Sequence, residues 1–305
     1  MQYLFSKESV AETVVSKIKI VTDSSVQLTP EEVKQYEIHV LPLTVMIDNT
    51  VYIDDVTITR SEFMDKMAAA KALPKTSQPA IGEFVKLFNE LGADGSQVLS
   101  INMMSAISGT VNTAEQAGTM SDSDVTVYHS GRTDRAMSFQ VLEAAKMAQA
   151  GQPLDEIVTR LNQIQANTRQ YMAITDLNNI VKGGRLSKAA GFITNLLNIK
   201  VILEVADNSL DIIRKGRGKK TVTKFVKELE EKLQKLPDIQ SIGISYTDPM
   251  RDYVDQMKAE IQKFLPDVPF LVRETDPIIA TYAGFGAFAI TYYTNAPIPA
   301  DEEMK

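Results

Sequence analysis

The 305-residue chain predicts an α/β fold in two domains, a first one on a parallel sheet and a second one on a smaller mixed sheet. Three observations carry this. From residue 18 to 168, apolar runs of strand length alternate with amphipathic stretches of about 10 to 15 residues, the signature of βαβ units. Beyond residue 172 the pattern changes to paired extended runs, IKVILEV and LDIIRK, split by the turn ADNS. An apolar content of 44% over this length is enough for more than one sizeable core.

The elements follow in order. Residues 1–16 precede the first strand signal and read as an N-terminal extension docked on the rest. IKIVT at 18–22 is the first strand, and TPEEVKQY is a helix capped by Thr29 with Pro30 at its first position. IHVLPLTVMI reads as extended and TRSEFMDKMAAAK as helical. PKTSQPA reads as a loop stiffened by Pro74 and Pro79. IGEFVKLFNELG, closed by Gly92, is a helix, QVLSI a strand, and a further helix is expected from about Ser108. The strand DVTVYH and two helices over 133–168 complete the first domain, with the boundary near residue 172. After YMAITD and the glycine-rich NNIVKGGRLSKAAGF come the two extended runs. TVTKFVKELEEKLQKL then presents Val222, Phe225, Val226, Leu229 and Leu233 on one helical face. SIGISYT, a helix from Asp248 to about Phe264, and VPFLVRE follow.

Composition removes several function classes. The absence of Cys fits a reducing compartment and excludes disulfides, thiol nucleophiles and thiolate metal sites. Two His leave little room for zinc, and neither a metal nor another cofactor is expected. A net charge of −7 argues against a nucleic-acid surface, which needs a basic stripe. No apolar run reaches the ~18 to 20 residues of a spanning helix, so stable membrane insertion is not expected. The first residues carry Lys7, Glu8 and Glu12 where a signal peptide would be apolar, and the expected location is cytoplasmic.

Ligands of open α/β sheets gather beyond the carboxyl ends of parallel strands, where helix N-termini present unpaired N–H groups. Here IKIVT runs into Asp23-Ser24-Ser25, QVLSI into a loop ending Ser108-Gly109-Thr110, and VTVYH into Ser130-Gly131-Arg132-Thr133. With the hydroxyl pair Thr76-Ser77, these form a polar, anion-holding rim. Each residue alone also fits a helix cap. Two basic clusters, Lys182-Gly183-Gly184-Arg185 and RKGRGKK at 214–220, fit phosphate handling or an acidic partner. Either can also be a solvated charge run, RKGRGKK more readily than KGGR, whose paired glycines let a backbone approach something closely.

Other motifs fail in context. Gly284-Phe285-Gly286 with Ala289 matches a dinucleotide fingerprint only superficially, because it lies too near the end of the chain to open a βαβ unit. RKGRGKKTV lacks the spacing of a P-loop, and no G-x-S-x-G elbow exists. A serine hydrolase would need His39 or His129 beside a loop serine such as Ser108.

The segments IVTDSS, LPLTVMID, PKTSQPA, LSINMMSAISGTVNTA, KGGRLSKAAGFITNLLNIKVIL and RKGRGKK, in this order and spacing, resemble the DegV family. That family comprises fatty-acid-binding proteins that act as substrate-carrying subunits of bacterial fatty acid kinase. The resemblance runs from about Lys17 to Tyr293. It implies an α/β/α domain over 17–172 and a two-layer α/β domain over 173–305, with one long-chain fatty acid such as palmitate or oleate between them. Thr76, Ser77 and Ser108 would hydrogen-bond the carboxylate, with Gly109, Thr110 and Tyr282 in the same site. Arg185 and Arg217 would serve the carboxyl end and the docking of a kinase subunit, which converts the bound acid to an acyl phosphate with ATP. Met103, Ile107, Phe192, Ile193, Leu196, Ile279 and Phe285 are candidates for the acyl tunnel. The carrier itself would have no catalytic residue.

Two departures stand out. Ala280-Thr281-Tyr282 occupies the place of the family's usual Gly-Thr-His, and His129-Ser130 that of Asp-Ser. A phenol donates a hydrogen bond but carries no positive charge at neutral pH. Two alternatives therefore stay open: a stand-alone acyl hydrolase or phosphotransferase using Ser108 with His129 or Tyr282, and an uncoupled lipid sensor or buffer.

Overall fold

The structure is a computed structural model that describes residues 17–186, 198–206 and 208–299. The first strand β1 (Ile18–Asp23) leads to α1 (Pro30–Gln35), whose capping box has Thr29 Oγ1 accepting from Glu32 N at 3.1 Å and Glu32 Oε2 accepting from Thr29 N at 2.8 Å. Strand β2 (His39–Leu41) lies parallel to β1. At Pro42 the chain leaves this sheet. The stretch expected as one extended run is thus two strands in different sheets, because proline cannot donate to a ladder.

Beyond Pro42, β3 (Thr44–Ile47), β4 (Thr50–Ile53) and β5 (Lys75–Ser77) form a small antiparallel sheet in the order β4-β3-β5. Helix α2 (Arg60–Ala69), capped by Thr59, separates β4 from β5. Residues 75–77, expected as loop, are strand because they pair with β3, with Thr76 opposite Val45.

Helix α3 (Ile81–Gly92), β6 (Gln97–Asn102), α4 (Thr110–Met120) and β7 (Val125–His129) complete a four-stranded parallel sheet in the order β2-β1-β6-β7. Phe84, Phe88, Ala114 and Ala117 of α3 and α4 cover one face against Val21 and Val98. The other face is covered by α5 (Asp134–Gln149), which packs on α6 (Leu154–Ala166) and also on the second sheet. Being held between two sheets buries α5 almost all round from Asp134 to Ala145.

The second sheet gathers β8 (Thr168–Ile174), β9 (Ile199–Ala206), β10 (Ser209–Arg217), β11 (Ile239–Tyr246), β12 (Phe270–Glu274) and β13 (Phe288–Thr294). Its order is β10-β9-β8-β13-β11-β12, and β11 with β12 is the parallel pair among antiparallel neighbours, so the sheet is mixed. It has six strands against four and is the larger sheet, contrary to the expectation. The boundary expected near residue 172 falls inside β8, whose residues from Thr168 already pair with β13.

Helices α8 (Lys220–Leu233) and α9 (Arg251–Gln262) cover the outer face, where Phe225 meets the Tyr171 ring edge-on at 5.5 Å between centroids. Side chains alternate across the strands. Tyr171 and Ala173 of β8 therefore join the outer core, while Ile174, with Val201 and Leu203 of β9, joins the core between the sheets. Two short helices, α7 (Asn178–Lys182) and α10 (Pro277–Ala283), pack on each other near β3 and β5.

Candidate functional site

A cavity of about 290 Å³ opens where these elements meet. Its walls combine Leu43 ahead of β3, Thr76, Ser77 and Gln78 from β5 and its exit, and Met103, Ile107, Ser108 and Gly109 from the loop after β6. Thr133, at the N-cap of α5, and Met172 and Ile174 of β8 add a second side. Ile180 and Arg185 in and after α7, Leu210 of β10, and Ile278, Ile279, Tyr282 and Ala283 of α10 complete it. Arg185 is the single charged residue among the described lining residues.

The polar groups form one connected rim. Tyr282 Oη and Thr76 Oγ1 are 2.7 Å apart. The Arg185 guanidinium stacks over the Tyr282 ring at 4.2 Å from its centroid. It also donates from Nε to the Ile107 carbonyl at 3.3 Å and from Nη1 to the Gly183 carbonyl at 2.7 Å. Arg185 therefore ties the tyrosine to the loop that carries Ser108. On the other side Gln78 crosses to Gly109, where an added Cβ would come to 2.4 Å from Gln78 Oε1, and its amide donates to Thr113 Oγ1. Gly183 admits the tyrosine in the same way: a Cβ there would lie 2.4 Å from Tyr282 Cδ1.

Ser108 and Thr110 share a hydrogen bond of 2.8 Å between their hydroxyls, and Thr110 N donates to Ser108 Oγ at 3.3 Å. Thr110 is fully buried behind the wall, so it acts on the cavity through Ser108. Among the described residues no base reaches the Ser108 hydroxyl. His129 instead pairs with Glu115 at 2.7 Å on the surface. The geometry gives no support to a Ser108–His129 hydrolase.

The supports of this wall are buried acids. Asp23 accepts from Met103 N at 2.8 Å and from Ser25 Oγ at 2.5 Å, and burial raises its pKa against those bonds. Asp276 caps α10 by accepting from Ile278 N and Ile279 N, both at 2.9 Å. Burial raises its pKa as well, opposed by the Arg60 charge. Asp134, beside Thr133, accepts from Ser245 Oγ at 2.8 Å, and burial pushes its carboxyl up to about 6. Arg60 holds this region together: it pairs with Asp55 at 2.9 Å and donates to Gln27 and to the Glu274 carbonyl.

Of the residues expected from sequence, Thr76, Ser77, Ser108, Gly109, Tyr282, Arg185, Met103, Ile107 and Ile279 lie together on the wall. Phe285 does not. It is 39% exposed, because the left-handed Gly284 and Gly286 on either side, at φ 72 and 70, turn this loop outward. Arg217 ends β10 at the surface, opposite Ile199, and is not on the wall. Phe192, Ile193 and Leu196 lie outside the described residues. The reading of the sequence missed Gln78, next to the hydroxyl pair, and Met172 and Ile174, which the two-residue period of β8 aims at the cavity. Among the described residues no His, Asp and Glu cluster is placed to hold a metal ion, and no helix is long and apolar enough to cross a membrane.

Two stacked sheets with helices between and outside them, enclosing a mainly apolar cavity with a hydroxyl rim, define the class of α/β protein in hand. The chain belongs to the DegV family, whose model, described as uncharacterised protein of the DegV family, matches residues 17–295. A DegV domain-containing protein of Streptococcus pneumoniae is 44% identical over 276 residues, covering 90% of this chain and 98% of its own. The crystal structure of DegV from Bacillus subtilis, named a fatty acid binding protein, superposes with a TM-score of 0.83 at 30% identity, covering 92% of this chain and 99% of that one. A fatty-acid-binding DegV family protein from Thermus thermophilus gives 0.81 at 26%, covering 91% and 99%.

Proposed function

We propose that this protein binds one long-chain fatty acid, such as palmitate or oleate, with its carboxylate on the hydroxyl rim and its acyl chain in the apolar part of the cavity. The observation that carries this is the connected rim, Thr76–Tyr282–Arg185 on one side and Ser108 on the other, opening on walls of Met103, Ile107, Met172 and Ile279. The named fatty acid binding of the Bacillus subtilis and Thermus thermophilus relatives supports the choice of ligand.

The energetics fit such a cargo. Burying an acyl chain gains about 0.8 kcal/mol per methylene, on the order of 10 kcal/mol for sixteen carbons before ordering costs. A carboxylate buried without partners would cost several kcal/mol, which hydroxyl donors and a guanidinium offset. Tail burial thus supplies affinity and the rim supplies orientation. No metal or organic cofactor is needed for either.

In the finer reading the protein is a carrier without chemistry of its own, working in the cytoplasm. It presents the carboxylate to a separate kinase subunit that forms the acyl phosphate with ATP. Arg185 stands at the carboxyl end, and Arg217 at the surface is the contact offered to the partner.

Mass spectrometry of lipid released on denaturation, set against a native mass of the intact complex, tests the cargo. One fatty acid per chain is the expected result. A protein that arrives empty and also refuses added palmitate and oleate would overturn it. Incubating the loaded protein with ATP and a competent kinase subunit tests the partnership; no acyl phosphate would leave an uncoupled lipid buffer as the better reading.

A further inference from the structure

We propose that Asn208, in the turn between β9 and β10, is a positioning residue of the carboxylate site, clamping the loop that presents Ser108 to the cavity. The inference rests on the fatty acid reading above. Ser108 sits in a loop, residues 103–109, that belongs to neither a strand nor a helix and must be held from outside. Its first half is pinned from within the parallel-sheet domain, by Asp23 accepting from Met103 N at 2.8 Å and the Arg132 carbonyl accepting from Met104 N at 2.9 Å. Its second half is pinned from the other sheet. Asn208 Oδ1 accepts from Ala106 N at 3.1 Å, and Asn208 Nδ2 donates to Ser105 Oγ at 2.7 Å.

Both ends of one amide are thus spent on two adjacent residues about a hundred positions away in sequence. The residue type follows from the two demands placed on it. The backbone stands at φ 61, where asparagine and glycine are the favoured residues. Glycine would make the turn but leave Ala106 N–H and Ser105 without these partners. Asparagine alone of the two provides a donor and an acceptor side by side.

The same hairpin reaches the ligand directly, because Leu210, two residues on, lines the cavity. Asn208 and the cavity-lining Leu210 thus stand two residues apart on one stretch of chain. Asn208 registers the Ser108 loop against the strand that contacts the acyl chain, so head and tail contacts are set at a fixed spacing.

The test is a double-mutant cycle on the full chain, read by displacement of cis-parinaric acid with palmitate. Asn208→Gly keeps the turn and removes the clamp, and Ser105→Ala removes one of its two contacts. Asn208→Gly is expected to weaken palmitate binding about fivefold to tenfold, the size of two lost hydrogen bonds, with little change in the thermal midpoint of the empty protein. Ser105→Ala is expected to cost less, and the double variant no more than Asn208→Gly alone. Unchanged affinity in Asn208→Gly, or strictly additive losses in the double variant, would overturn the proposal. Hydrogen exchange of the Ala106 amide in the empty protein separates this from a failure of the cargo reading. If wild type takes up no palmitate, the cargo reading falls, and the clamp stands on faster Ala106 exchange in Asn208→Gly or falls with unchanged exchange.

Discussion

The phenol oxygen of Tyr282 lies 2.7 Å from Thr76 Oγ1, so a helix near the end of the chain and a strand of the small sheet share one hydrogen bond at the cavity rim. One of the two hydroxyl hydrogens is spent in this mutual bond, so the pair keeps one to donate to a third atom. Tyr282→Phe retains the ring under Arg185 and removes the oxygen. We expect palmitate affinity to fall about fivefold, near 1 kcal/mol, with stability little changed. Calorimetric titration that finds equal affinity would take Tyr282 out of the carboxylate site.

Ser108 carries the other half of the rim. Replacing it by Ala removes a hydroxyl that on the proposed reading faces the carboxylate, a contact worth about 1.5 kcal/mol, so lipid should dissociate roughly tenfold faster. Thr110 loses its hydroxyl partner in the same variant, a part-buried contact whose loss also lowers the thermal midpoint slightly. A dissociation rate equal to that of wild type would place the carboxylate elsewhere.

Gly183 is small because Tyr282 needs the space. A methyl group there would come to 2.4 Å from one ring carbon and 2.6 Å from the next, with the Asn179 carbonyl at 3.1 Å closing the remaining direction. Gly183→Ala should therefore displace the ring and weaken lipid binding more than Tyr282→Phe does. Pairing it with Tyr282→Ala, which vacates the space, should remove most of its own penalty on stability. Additive losses in denaturant titrations would refute the steric account.

Asp134 gives a pH dependence of known sign. Its carboxyl, ordinarily near 3.8, is pushed up to about 6 by burial, so between these values the folded chain holds a proton that the unfolded chain has released. Stability from this group is complete below the ordinary value and is lost as pH rises through about 6. Asp134→Asn keeps an oxygen for Ser245, tolerates φ 56, and cannot ionise. The variant should gain on wild type by on the order of 3 kcal/mol as pH rises from about 4 to about 7, and no further above that. Urea midpoints that keep a constant offset across this range would contradict it.

On the proposed reading, Arg217 separates binding from partnership. It ends β10 at the surface and is absent from the cavity wall, so Arg217→Ala should leave palmitate affinity unchanged. Acyl phosphate formation with a kinase subunit should fall at least tenfold, as expected for a lost charged contact at an interface. Loss of lipid binding as well would mean that this end of β10 supports the cavity instead.

How far the sequence reveals this site depends on what sets each element. The strands β1, β6 and β9 are short, mainly apolar runs bounded by polar or turn residues, which makes them legible. Met172 and Ile174 were not assigned to the cavity because β8 has an apolar residue on either side, and nothing local says which face meets a ligand. The three residues of β5 have no strand pattern of their own and owe their conformation to β3, a tertiary partner. Ser108, in a hydroxyl-rich loop at a strand end, and the hydroxyl pair Thr76-Ser77 do line the cavity, whereas Phe285, a candidate for the acyl tunnel, does not, because the backbone and not the side chain decides where that ring goes.

The cavity draws its walls from Leu43 at one extreme and Ala283 at the other. During synthesis, then, no earlier stretch of the emerging chain holds a complete receptor; the space exists only once α10 has docked. If the cavity holds a fatty acid as proposed, a half-made protein cannot sequester it. Conversely, on the proposed reading a cargo that binds only the finished fold favours it, adding about 2.7 kcal/mol of stability when free ligand stands at a hundred times its dissociation constant. A supply of free acid would in this way lengthen the lifetime of the very molecules able to carry it.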